Sequence, residues 1–339
     1  MSALQPILVE LAEGAPLSPE AADAAFNILM DGEAALEEIT AFLMALRVRG
    51  ESVDEIAAGA RALRARAIKV EAGDDVIDTC GTGGGWSTFN VSTAAAIVAA
   101  GAGAKVAKHG NRTTTRKSGS ADVLEALGVN IEATLANVAR CIREAGVGFL
   151  FARAHHSAMR HVAPARQALG LRTIFNMVGP LSNPAGATRQ LLGVYDEALV
   201  RPMAEALRKL GAVRAIVVHG ADGLDEITTT GPTKIAELAD GEITEFEIKP
   251  EDAGVARAAR TELEGGDPKE NAKAIKKMLD GASGPCRDIV ALNAGAALTL
   301  TDPDLDWKGG VKRALAAIDD GSAKAALKRL VAVSNEKKA

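Results

Sequence analysis

Aromatic residues are scarce, at 3% of a chain of 339 residues, although hydrophobic residues make up 47%. A core so short of Phe, Tyr and Trp must be built from Ala, Val, Leu and Ile, which suits helices packed closely on a parallel sheet. Cysteine is equally sparse. Cys80, Cys141 and Cys286 are widely spaced, with no CxxC pair. That excludes a disulfide framework and leaves free thiols of a reducing compartment, so a cytoplasmic location is expected. No stretch reaches the roughly 18 apolar residues of a membrane span. Positive charge is not in excess: 39 Lys and Arg stand against 44 Asp and Glu, a net charge of −5, which speaks against a general nucleic-acid binder. The amino terminus, MSALQPILVELAEG, lacks a basic start and carries Glu10 and Glu13, so no signal or transit peptide is expected. Internal repeats, low-complexity tracts and flexible linkers are also missing.

Strand signals are absent from the first 67 residues, and helix signals replace them. Ser18 before Pro19 reads as an N-cap with a first-turn proline. Gly32 breaks the pattern. Leu36, Ile39, Leu43 and Leu46 then form a stripe at helical spacing that Gly50 ends. Ser52 and Glu55 form a capping box. These features predict a small helical domain over 1–70. Its apolar stripes either pack within the bundle or face a second subunit. From Asp74 the pattern changes to short buried strands, DVIDTCG, KVAKHG, VGFLFA and RAIVVHG, separated by helices such as STAAAIVAAGAGA and ADVLEALG. This alternation predicts a larger α/β domain over 74–339 with a mostly parallel sheet covered on both faces. A return crossing to the helical domain is expected around 160–185. The charged run ELEGGDPKENAKAIKKMLDG reads as a solvated surface helix with its leading loop.

Several familiar catalytic motifs are missing. No lysine lies between Val70 and Lys105, which rules out a P-loop at the glycine run, and Trp86 stands where a dinucleotide fingerprint needs its third glycine. There is no GxSxG elbow, and no two histidines sit at i,i+4 for a helical zinc site. Three other elements are present. CGTGGGWSTFN places glycines directly before a helix, where backbone N–H groups can meet an anion, with Ser92 as the expected N-cap. KVAKHGNRTTTRKSGS gathers Lys105, Lys108, Arg112, Arg116 and Lys117 among threonines and serines. It is either a solvated loop or a site for a polyanion. VVHGADGLDEIT brings Asp222, Asp225 and Glu226 to the end of a buried strand, as a turn or as oxygen ligands for Mg²⁺ beside phosphates.

In this order, GTGG…TFNVSTA, KHGNR…KSGSADVLEALG, FARAHH…MRHVAPARQALGLRTIFNMVGPLSNPA and VHGADGLDEIT resemble the anthranilate phosphoribosyltransferase family over nearly the whole chain. The resemblance implies transfer of phosphoribosyl from 5-phosphoribosyl-1-pyrophosphate to anthranilate in tryptophan synthesis. It implies a small helical and a larger α/β domain resembling pyrimidine nucleoside phosphorylases, and a homodimer through the helical domains. Carried over by motif, Gly81, Gly84 and Gly85 line the substrates, and Thr88, Asn90, Val91, Ser92 and Thr93 hold phosphoribosyl pyrophosphate. Lys108, His109, Gly110, Asn111, Arg112, Thr113, Thr114, Thr115 and Arg116, with Ser120, cover it. Ser92, Asp225 and Glu226 hold Mg²⁺. Asn111 and Arg166 position anthranilate, with His109 and Pro180 near its path, and Lys108, Asn111 and Arg166 are the residues expected to carry catalysis. The alternatives are a paralogue that binds without transferring, or a nucleoside phosphorylase.

The glycine loop departs from the family's Gly-Thr-Gly-Gly-Asp-Gly. Counted back from Asn90 it is one residue short, and the aspartate is the residue missing. Arg116 stands where a small hydroxyl residue is usual. Both changes make the expected site more cationic, and altered metal dependence is the expectation.

Overall fold

The computed structural model describes residues 2–113 and 117–337. The chain opens with four helices, α1 (Gln5–Ala12), α2 (Pro19–Asp31), α3 (Leu36–Arg49) and α4 (Val53–Ala65). Ser18 Oγ accepts the Ala21 N–H at 3.1 Å, and Gly32 closes α2 in the left-handed region at φ 75°. The Ser52–Glu55 box forms in both directions, at 3.3 and 2.8 Å. Glu55 does more than cap. Fully buried, it pairs with Arg49 and accepts the Leu17 N–H at 3.0 Å, tying α3 and the approach to α2 onto α4. Of the α3 stripe, Ile39, Leu43 and Leu46 are buried, whereas Leu36 is exposed together with Val9, Met44 and Val48.

The bundle does not close on itself. Its core includes Ala158, Val162, Ala165, Ile174, Phe175 and Val178, and continues into Leu192, Ala215 and Val217 of the sheet. Phe175 meets Phe26 edge-on with ring centroids 6.1 Å apart, and Gly59 lets α4 approach Val178 closely.

The sheet has seven strands: β1 (Val76–Gly81), β2 (Lys105–Gly110), β3 (Val147–Phe151), β4 (Arg189–Gly193), β5 (Arg214–Gly220), β6 (Thr233–Ala239) and β7 (Glu242–Ile248), in the order β3-β2-β1-β4-β5-β6-β7. The first five in that order are parallel, and β6 and β7 add an antiparallel hairpin at one edge. Helices α5 (Val91–Gly101) and α6 (Ser120–Leu127) follow β1 and β2. The helix Pro268–Leu279 is amphipathic: Ala272, Ile275, Met278 and Leu279 are buried and its charged side faces out. Strand order reverses at β1, which has β2 on one side and β4 on the other. In open α/β sheets the crevice beyond the strand ends at such a reversal is where ligands sit.

Candidate active site

The loop leaving β1 lies on the turns beyond β4 and β5 with almost no space between. A Cβ on Gly81 would fall 2.7 Å from Asp225 Oδ2, and one on Gly193 only 1.7 Å from the Asp225 carbonyl. Gly84 would strike Tyr195 Cβ at 2.3 Å, and Gly85, at φ +43°, would strike the Gly223 carbonyl at the same distance. The glycines therefore serve close backbone approach. Thr82 N–H donates to the Gly193 carbonyl at 2.9 Å, and Thr82 Oγ1 accepts the Tyr195 N–H at 3.0 Å. Arg172 donates to the Gly83 carbonyl at 2.7 Å and lies over the Tyr195 ring, 4.1 Å from its centroid.

The second half of the loop is held by other means. Trp86 packs against the α/β core with the Arg260 guanidinium 4.9 Å from its ring centroid. Gly265 N–H donates to the Ser87 carbonyl at 3.0 Å, and Thr88 forms an isolated antiparallel bridge with Glu264. In this shortened loop Gly85 follows Gly-Thr-Gly-Gly directly, and the Gly223 carbonyl leaves no room there for a side chain.

Ser92 is not the N-cap. Helix α5 begins at Val91, and Asn90 occupies the cap position in the left-handed region, at φ 70° and ψ 57°. Asparagine tolerates that conformation better than most residues. Ser92 therefore lies in the first turn, where backbone N–H groups have no helical partner. Its N–H donates to Glu226 Oε1 at 3.2 Å.

Lys108, at the end of β2, is buried. Its Nζ donates to the Thr79 carbonyl and lies 3.4 Å from Ser92 Oγ. Burial lowers its pKa, against the opposing pull of Asp78, Cys80 and Glu226. Asp78 is fully buried, and burial raises its carboxyl pKa while Lys108 opposes the rise. Asp78 Oδ1 accepts the His109 N–H at 3.0 Å. The His109 and His156 rings meet through their Nε2 atoms at 3.2 Å. Burial, and then mutual repulsion with neighbouring cationic groups, holds His109 well below the usual histidine range, and burial brings His156 to about 4. Both are neutral hydrogen-bonding groups at neutral pH. Three of the five histidines, His109, His155 and His156, are buried.

Beyond β2 the chain doubles back. Asn111 Oδ1 accepts the Arg112 N–H at 2.8 Å, and Ser120 Oγ donates to the Asn111 carbonyl at 3.2 Å against Gly110. Arg112 turns to Asp122 and Glu125, at 2.7 and 2.6 Å, rather than toward the glycine loop. Beside it opens a cleft of about 670 Å³ lined by Arg112 and Lys269 but also by Asp122, Glu125 and Asp267. With acidic groups in the majority, that cleft is a poor anion cradle. Thr114, Thr115 and Arg116 lie outside the described residues.

The Arg166 guanidinium stacks on Phe175, 5.7 Å from the ring centroid, and makes no ion pair or hydrogen bond among the described residues. Burial lowers its pKa. The Pro180 carbonyl is occupied by Gln190 at 2.8 Å. Thr93 and Val91 are buried in the first turn of α5.

Gly81, Ser92, Lys108, Asp225 and Glu226 thus converge at the strand reversal, whereas Arg112 faces away. Asp78, Arg172 and Gly193 also belong to this neighbourhood and were missed from the sequence. Asp78 alone left a signal there, as a carboxylate inside a buried strand. Among the described residues no three His, Cys, Asp or Glu side chains are placed to hold a metal by themselves. Asp225 and Glu226 still fit Mg²⁺, which is ordinarily held by one or two carboxylates together with substrate phosphate oxygens and water.

The two-part architecture and the site at its strand reversal define a class. The helical bundle domain of the glycosyl transferase family matches residues 5–67, and that family's α/β domain matches residues 73–324. Over 338 residues the chain is 55% identical to the anthranilate phosphoribosyltransferase of Parvibaculum lavamentivorans, covering 99% of each. The crystal structure of that enzyme from Thermus thermophilus superposes with a TM-score of 0.92 at 44% identity, covering 99% of this chain and 100% of the other. The Saccharomyces cerevisiae enzyme in complex with PRPP and Mg gives 0.85 at 29%, covering 94% and 93%. The chain belongs to the anthranilate phosphoribosyltransferase family.

Proposed function

We propose that the protein transfers the phosphoribosyl group of 5-phosphoribosyl-1-pyrophosphate to the amine of anthranilate, releasing pyrophosphate, in tryptophan biosynthesis. One observation carries this reading: the closure of Lys108 Nζ, the Ser92 hydroxyl and N–H, and Glu226 around one point, at 3.4 and 3.2 Å. That point sits at the start of a helix and is fronted by a loop that carries no side chain at Gly81 or from Gly83 to Gly85. A pyrophosphate with its Mg²⁺ needs such a pairing, a lysine and a serine hydroxyl for the phosphate oxygens and a carboxylate for the metal.

In the reaction the amine nitrogen bonds to the anomeric carbon as the carbon–oxygen bond to pyrophosphate breaks and its electron pair leaves with pyrophosphate. The glycine-loop amides of Gly81, Gly84 and Gly85 and the residues Thr88, Asn90, Val91, Ser92 and Thr93 form the pyrophosphate and ribose cradle. Lys108 meets the negative charge that develops on the leaving group. Ser92, Asp225 and Glu226 would hold Mg²⁺, which supplies charge neutralisation on the leaving phosphates when bound. The Arg166 guanidinium, stacked on Phe175, takes the anthranilate carboxylate, and Asn111 with His109 and Pro180 orients the ring. The aromatic amine is neutral at pH 7, so its proton passes to pyrophosphate or water after attack.

The protein works in the cytoplasm as a homodimer. Val9, Leu36, Met44 and Val48 of α1 and α3 are exposed apolar side chains that support a contact through the helical domain, 1–70, and the α/β domain, 74–339, carries the site.

The test is the loss of anthranilate fluorescence on adding phosphoribosyl pyrophosphate and Mg²⁺. A steady decline, abolished by leaving out either, is the expected result. No decline, with phosphoribosyl pyrophosphate still bound in calorimetry, would leave a binding protein. Phosphate-dependent cleavage of a nucleoside instead would make it a phosphorylase.

A further inference from the structure

The far side of the phosphoribosyl pyrophosphate loop rests on a residue 181 positions away in sequence, Asn271, in the first turn of Pro268–Leu279. Asn271 is 1% exposed. Its Oδ1 accepts the Gly266 N–H at 2.8 Å and its Nδ2 donates to Asn90 Oδ1 at 2.9 Å. A backbone N–H can only donate, so the Gly266 contact fixes which way the Asn271 amide points, and its NH₂ must face Asn90. Asn90 is fixed in the same manner. Its Nδ2 donates to the Ser118 carbonyl at 3.1 Å, which leaves its Oδ1 to accept from both Asn271 and Ser118 Oγ, the latter at 2.9 Å. Asn90 is a left-handed residue at the head of α5, a conformation that costs energy unless its surroundings hold it.

These contacts join three pieces: the end of the glycine loop, the end of the basic segment after β2, and the start of the helix at Pro268. Two neighbouring contacts strengthen the joint. Gly265 approaches the Thr88 carbonyl so closely that a Cβ there would lie 2.1 Å away, and Asp267 Oδ1 caps the helix through the Lys269 and Glu270 N–H groups at 2.8 and 2.9 Å.

We propose that Asn271 is a positioning residue for phosphoribosyl pyrophosphate: its amide holds Asn90 in the left-handed cap that sets the direction of the first turn of α5, and with it the Ser92 hydroxyl, toward the pyrophosphate. It acts through Asn90 and touches no substrate. The proposal rests on the reading of this loop as the pyrophosphate cradle.

Asn271→Asp tests it. The new carboxylate keeps the acceptor for Gly266 but faces Asn90 Oδ1 with a second acceptor. KM for phosphoribosyl pyrophosphate should rise about tenfold at pH 8 relative to wild type, with KM for anthranilate changing less than about twofold. Burial raises the pKa of such a carboxyl, so lowering the pH toward about 6 returns a proton that can bond Asn90, and the gap to wild type should narrow. Wild type measured at each pH removes the titration of the substrate itself. Asn271→Ala buries no charge, serves if Asn271→Asp does not fold, and must show the same split between substrates. A wild-type KM for phosphoribosyl pyrophosphate, a gap in Asn271→Asp that ignores pH, or equal rises for both substrates would overturn the proposal and leave the cradle reading standing. A rise confined to anthranilate would overturn both.

Discussion

The loops after β1 and β2 leave neighbouring parallel strands and face the same crevice, yet they are built on opposite principles. The β1 loop carries no charged side chain from Gly81 to Asn90 and takes its shape from close approaches that only glycine allows, at Gly85 against the Gly223 carbonyl and at Gly81 against the Asp225 carboxylate. The β2 loop is led by a buried lysine and a buried histidine in the second half of the strand, and takes its shape from desolvated polar groups, Lys108 on Thr79 and Ser92, and His109 on Asp78 and His156. One loop presents donors by geometry and the other by charge kept out of water. The first should therefore fail when volume is added, and the second when protons are.

The largest effect is expected from Gly85→Ala. The new methyl must enter space held by the Gly223 carbonyl at 2.3 Å while the backbone keeps φ +43°. Overpacking and left-handed strain together cost about 3 kcal/mol or more, and because the displaced turn carries Asp225 and Glu226, kcat/KM should fall about a hundredfold. Gly83→Ala is the control. Gly83 is also left-handed, at φ +69°, but nothing lies within 4 Å of its would-be Cβ. It should lose only about 1 kcal/mol and keep most of its activity. Steady-state kinetics and urea denaturation of the two variants check the contrast. Equal losses would mean that conformation alone, not contact, shapes the loop.

This difference also marks what could be read from the chain in advance. Strands β1, β2, β3 and β5 announced themselves as apolar runs between helices, and the α2 and α4 caps were visible in Ser18-Pro19 and Ser52…Glu55. Strand β4 is only five residues, RQLLG, and the β6–β7 hairpin alternates charged with apolar residues at a sheet edge, so neither stood out. The residue types of the convergent site were visible because three motifs held them. The cap was misplaced by two residues because Ser and Asn cap helices about equally well, and only the folded chain reveals Asn90 in its left-handed position. Arg112 looked free among cations, but its partners Asp122 and Glu125 lie ten and thirteen residues on, on a helix face that spacing alone does not aim. Arg172 and Asn271 could not be found at all, since they reach the loop across 89 and 181 positions.

Acid should expose the second loop. Burial holds His156 at about 4, against 6.5 for the ordinary side chain. Below about pH 6.5 the unfolded chain takes up a proton that the folded chain refuses. The stability is therefore whole above that pH and is lost as pH falls toward about 4. Between pH 7 and pH 5 this group alone accounts for about 2 kcal/mol. His156→Gln has nothing to titrate there, so its urea stability should fall less than that of wild type over the same interval, by about that amount. Parallel curves would place the acid sensitivity elsewhere.

The smallest effect is expected where the β1 loop leans on an exposed side chain rather than on backbone or on buried groups such as Asn271. Arg260 lies over Trp86 but is itself largely exposed, so the contact gains little from desolvation. Arg260→Ala should cost about 0.5–1 kcal/mol, within reach of careful denaturation curves, and leave KM for both substrates within about twofold. The Thr88–Glu264 bridge and the Gly265 N–H to Ser87 remain in this variant, because they are backbone contacts. A selective rise in KM for phosphoribosyl pyrophosphate in Arg260→Ala would erase the distinction between the loops, since an exposed rim cation would then be shaping a cradle whose form otherwise comes from glycine, backbone and buried hydrogen bonds.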